Sequence, residues 1–72
     1  MNAENFPEND PLHHVAKIHR KLEELVNHCR GDIPKVSEPK AQVLFETSAE
    51  VLTGLKMAYE HYATEVEPAM RR

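Results

Sequence analysis

Five histidines in a chain of 72 residues are the first place to look for chemistry. Imidazole is the commonest metal ligand and titrates near neutrality. Two of the five stand four residues from a glutamate, Glu24 with His28 and His61 with Glu65. On a helix that spacing puts both side chains on one face. Together the four could hold a metal ion if an oligomer brought the pairs to one place. The di-iron carboxylate bundles use Glu-x-x-His at a spacing of three, which occurs nowhere here. A closed zinc site needs four nitrogen or sulfur ligands, and this chain has a single cysteine. Two ordinary carboxylate–imidazole surface pairs account for the same residues, so the expectation is no metal and no cofactor. The metal-binding bundle stands as the alternative.

The other candidates read as packing. His19 falls on the apolar side of its helix and should be a core-edge imidazole with one partner; only if it is buried would its charging near pH 6 disturb the fold. His13 and His14 sit in a first helical turn, where the helix dipole disfavours their charged forms. Cys29 lies on an apolar stripe near a helix C-terminus, which does nothing to stabilise a thiolate. Phe45, Tyr59 and Tyr62 recur at bundle spacing and belong to a core, with the hydroxyls reaching partners at its edge. Ser48 should bond back to a helical carbonyl. Lys17, Arg20 and Lys21 make a small basic cluster, but Glu23 and Glu24 follow at once and the net charge is -3. Nucleic-acid binding is therefore not expected. No phosphate-cradling loop or nucleophile elbow is present, so no enzyme is expected either.

Two helices must position these residues. Asp10-Pro11 supplies an N-cap and a first-turn proline. From there Leu12, Val15, Ile18, His19, Leu22, Leu25, Val26 and Cys29 recur at steps of three and four. Arg30-Gly31 should end this helix, giving a span of about 11–30 with glycine in a left-handed stop. Gly31, Asp32 and Pro34 make the turn. The second helix starts at Ser37-Glu38-Pro39, with Glu38 favoured as cap, and should run over about 38–66 until Pro68. Its stripe is Ala41, Leu44, Phe45, Ser48, Val51, Leu52, Leu55, Ala58, Tyr59, Tyr62 and Val66. Gly54 inside it suggests a close helix contact. Its length, about 43 Å against about 30 Å for the first helix, predicts an overhang near Tyr59, Tyr62 and Val66. Residues 1–10 should form a flexible polar arm in which Phe6 is the one candidate anchor, and 68–72 a tail.

Both stripes are wider than a two-helix seam requires. Three apolar positions per heptad suit a bundle of three or four helices, and this chain supplies two. One cysteine rules out an internal disulfide framework, and a domain this small buries about 60% of its unfolded surface. The fold class expected is therefore all-α, an antiparallel two-helix hairpin that assembles as a homo-oligomer, most simply a two-fold dimeric four-helix bundle. Phe45, Val51, Leu52, Leu55, Met57, Tyr59 and Tyr62 should form the oligomer interface. Residues 11–30 sum to +2 and 38–66 to -3, which favours unlike helices side by side. The acidic start carries no secretory signal, and the longest apolar run, Val43-Leu44-Phe45, cannot span a membrane. A cytoplasmic, non-enzymatic module that acts by self-association, in interaction or regulation, is the function these residues suggest.

Overall fold

The computed structural model describes residues 7–70, and their side chains to Glu65. Phe6, the side chain of Val66 and the last two residues lie outside that range. Two helices follow one another: α1 over Pro11–Asp32, a 3₁₀ turn over Ile33–Lys35, and α2 over Pro39–Met70. They pack side by side as a hairpin, and no strand occurs among the described residues.

The start of α1 follows from its sequence. The Asp10 carboxylate accepts from the Leu12 amide at 2.8 Å, satisfying one of the donors that every helix N-terminus leaves open. The Asp10 amide donates to Pro7 O at 2.9 Å, and His14 Nε2 donates to Glu8 O at 2.7 Å. Residues 7–10 thus fold back on the first turns. α2 begins at Pro39, with the Gln42 amide donating to Glu38 O at 3.1 Å.

The ends differ from expectation. Gly31 does not stop α1: no described residue has positive φ, and the helix runs on to Asp32. The turn closes by tightening to 3₁₀ geometry with Pro34 near its start. The Asp32 carboxylate fixes it, meeting His28 Nε2 at 3.0 Å and Lys35 Nζ at 3.3 Å. Since Gly31 is helical and a Cβ there would meet nothing within 4 Å, Gly31→Ala should stabilise the hairpin by about 0.5–1 kcal/mol. Urea midpoints of the two proteins check this; a lower midpoint for the variant would mean that the glycine is required. Pro68 does not end α2 either. It removes one N–H from the ladder, and the helix continues to Met70.

Gln42 ties the turn to α2. Its amide donates to Val36 O at 2.8 Å and to Ile33 O at 3.4 Å. At the other end His19 Nε2 meets Glu60 Oε1 at 2.7 Å. These contacts set the antiparallel register. With the helical rise between them, Cys29 lies level with Ser48, Leu22 with Leu55, and Val15 with Tyr62.

The core between the helices is thin. Its buried residues are Leu12, Ala16, Val26, Ala49 and Ala63, with Leu12 the largest fully buried side chain at 2% exposure. Phe45, Leu52 and Tyr59 are half-buried beside them. The α2 seam therefore follows Gln42, Phe45, Ala49, Leu52, Lys56, Tyr59 and Ala63, one position beyond much of the expected stripe. The expected overhang is smaller too: Ala63 is buried, so α1 covers α2 through Tyr59, and Tyr62 is exposed because of the direction it faces. The molecule is a rod of 52 × 19 × 14 Å with a radius of gyration of 15.4 Å. A compact globule of this length would have about 11 Å, so no third layer covers the pair among the described residues.

Candidate functional site

The site candidate is what the seam leaves uncovered. Ile18 and Leu25 on α1, and Leu44, Val51, Leu55 and Tyr62 on α2, are all 40% exposed or more, Val51 reaching 65%. Each stands one position before a residue of the seam: Ile18 before His19, Leu25 before Val26, Leu44 before Phe45, Val51 before Leu52, Leu55 before Lys56, Tyr62 before Ala63. One position is a turn of about 100° about the helix axis. Seen down the bundle, an antiparallel pair turns in opposite senses, so that step brings both rows to the same side of the hairpin. Val15, Leu22 and Cys29, all half-buried, complete the α1 row; Ser48 and Ala58 complete that of α2. The rows meet in a shallow apolar notch lined by Val15, Ala58, Tyr59 and Tyr62. Single exposed apolar residues are ordinary on a protein surface, whereas a contiguous row of them is not.

The opposite side is mostly polar, with Val43 and Met57 as its exposed apolar residues. Lys17, Arg20 and Asn27 of α1 and Glu46, Glu50 and Glu60 of α2 follow seam positions by one and turn the other way. The hairpin is thus two-faced, one side suited to water and one not.

The structure divides the seven residues expected at an interface. Val51, Leu55 and Tyr62 lie on the open face. Phe45, Leu52 and Tyr59 are shared, half-buried against α1 and bordering that face. Met57, although 47% exposed, belongs to the polar side. Gly54 is exposed on the outer edge of α2, and a Cβ there would meet nothing within 4 Å. Within the hairpin it marks no close contact, against expectation, because α1 packs on the other side of the helix.

The titratable residues do not converge. Glu24 and His28 are exposed on α1, and His28 turns to Asp32 rather than to Glu24. His61 and Glu65 are exposed on α2. His28 and His61 are about 18 Å apart along the bundle by helical rise. Among the described residues no three His, Cys, Asp or Glu are placed to share an ion. One chain therefore does not bring the four proposed ligands together.

His19 bridges the helices. Its side chain is 16% exposed, and its Nε2 carries the proton of the bond to Glu60, because an ionised carboxylate only accepts. This bond holds the Glu60 carboxyl below its ordinary value, aided by the charges of His19, Lys56 and His61; partial desolvation opposes it and loses. His19 is thus a core-edge imidazole with one partner, as its place on the apolar stripe suggests. The sign for Glu60 follows: its pairing stabilises the fold above the unfolded value, about 4.3, and is lost as pH falls through the lowered native one. Glu60→Gln should lower the urea midpoint at pH 6, and the gap should narrow as the pH falls below about 4.3. A gap that stays the same down to the lowest pH at which the protein folds would mean that the pair contributes nothing through ionisation.

Sequence reasoning missed Ala16, Ala49 and Ala63, Gln42, and the His19–Glu60 bond. Alanine carries little hydropathy signal, but the three-four spacing of Phe45, Ala49, Leu52, Tyr59 and Ala63 could have disclosed the seam. The fold and its open face define the class of protein: an all-α helical hairpin with one unpartnered apolar side. No protein-family model, curated protein or solved structure matches the chain. No helix among the described residues is long and apolar enough to cross a membrane.

Proposed function

We propose that this chain is a non-enzymatic interaction or regulatory module of the cytoplasm, and that it works by binding a second copy of itself into a four-helix bundle. The observation that carries the reading is the continuous open face, with Ile18 and Leu25 on one helix and Leu44, Val51, Leu55 and Tyr62 on the other. These side chains lie at helical spacing along most of α1, which is the layout of a helix–helix interface. The hairpin's own core, three alanines with Leu12 and Val26, is too thin to make this face an incidental surplus. Small domains without disulfides commonly reach stability by assembly.

A second copy fits the size of the face. With α1 about 33 Å long and the hairpin 19 Å wide, the flat projection is roughly 600 Å². Interdigitating side chains raise that toward the ~800 Å² per partner of a standard stable interface. A two-fold dimer also leaves the polar sides of both hairpins in water.

The direct check is coexpression of two differently tagged copies, purified through one tag. The expected result is recovery of both, lost when both carry Leu25→Asp. Recovery of the captured copy alone from the native pair would overturn the reading.

A further inference from the structure

The layers of the open face differ in size, and that difference selects how two copies meet; the inference rests on the self-association proposed above. Toward the turn, one step inside Leu44, the rows hold Cys29 and Ser48, which lie level with each other; toward the other end stand Val15 and Tyr62. Leu22 and Leu55 lie midway, again level with each other. Two hairpins can stack face to face in two ways. With the two-fold axis along the bundle, α1 lies over the partner's α2 and every layer meets its own copy. Two Cys29 and two Ser48 would then share one layer and two Tyr62 with two Val15 another, the first underfilled and the second crowded. With the axis across the bundle, α1 lies over the partner's α1 and α2 over its α2, each pair antiparallel. Large then meets small: Tyr62 against the partner's Ser48, Val15 against the partner's Cys29, with Leu22 and Leu55 near the axis.

We propose that the dimer takes the second arrangement, its axis crossing the hairpin at the level of Leu22 and Leu55, with the Tyr62 of each copy seated over the Ser48 of the partner subunit. The Ser48 hydroxyl already donates to Leu44 O at 2.7 Å, which leaves its lone pairs to accept from a tyrosine hydroxyl. A tyrosine covered by an interface needs such a partner. Gly54, beside Leu55 on the outer edge, then falls near the axis, where a missing side chain allows two α2 helices to approach. Charge points the other way, since unlike helices would prefer to be neighbours and Lys21 would approach the partner's Lys21. Those groups stay at the wet rim, where ion pairs contribute little and lysine can reach into water. An unfilled layer in a core costs more, so packing decides.

Nitroxide labels at the turn read the arrangement. Ser37 is exposed, and Ser37→Cys in a Cys29→Ala background gives one label per chain, with the helical content checked by circular dichroism. Lys40→Cys, also exposed, is a second site should the first disturb the turn. Pulsed electron paramagnetic resonance should give a separation of about 40 Å, because the two turns lie at opposite ends of the bundle. A separation of about 10–20 Å, with both turns at one end, would overturn the arrangement and leave self-association standing. Absence of dipolar coupling, with the mass of one chain, would overturn self-association itself.

Discussion

Leu55→Glu should convert the protein to single chains and take most of its helicity with it. Leu55 lies midway along the open face and is 47% exposed in one hairpin. If that surface met only water, the change would alter stability by no more than about 0.5 kcal/mol, as at ordinary surface positions. In a face-to-face dimer the same position is interior. Truncating a buried leucine costs about 2–5 kcal/mol, and a carboxylate without a counter-charge adds several more. Two-fold symmetry introduces the lesion twice. Sedimentation and circular dichroism read both consequences. Unaltered mass and helicity would show that Leu55 is solvated and that the open face is not where the chain associates.

Ala49→Glu should unfold the hairpin from within, by a route independent of association. Ala49 is 1% exposed and faces the α1 seam near the level of Val26. It is small because the helices are close there. A glutamate overfills the space, which alone costs about 1–3 kcal/mol, and also buries a charge beside apolar groups. The sum, about 3 kcal/mol or more, is most of the stability expected of so small a domain. The urea midpoint should collapse or the cooperative transition disappear. Were the α2 seam centred on Ser48 and Val51 instead, residue 49 would sit at its edge and the substitution would be tolerated. The variant therefore discriminates between the two seams.

That contrast shows what could be read from the residues. The hairpin was legible because its signals are local: Asp10 caps, Pro11 and Pro39 open helices, and Pro34 marks the turn. The open face was half legible. Periodicity grouped Leu44, Val51, Leu55 and Tyr62 with Phe45, Leu52 and Tyr59 as one stripe, yet in space they divide into a row against α1 and a row beside it. The division turns on Ala49 and Ala63, whose small side chains let α1 approach along their line, and alanine announces that poorly. Gly31 misled because a glycine near a helix end permits a left-handed stop without imposing one, and Asp32, meeting His28 and Lys35, closes the turn another way. The His19–Glu60 bond spans 41 residues, and no local pattern encodes it.

Solution mass by light scattering, followed over a dilution series with reducing agent present, tests self-association through the open face most directly. The expected result is twice the chain mass, 2 × 8.3 kDa, falling toward one chain, with loss of helix, only on strong dilution. A fully helical protein of one chain mass at every concentration would contradict it, because the open face would then be stable in water.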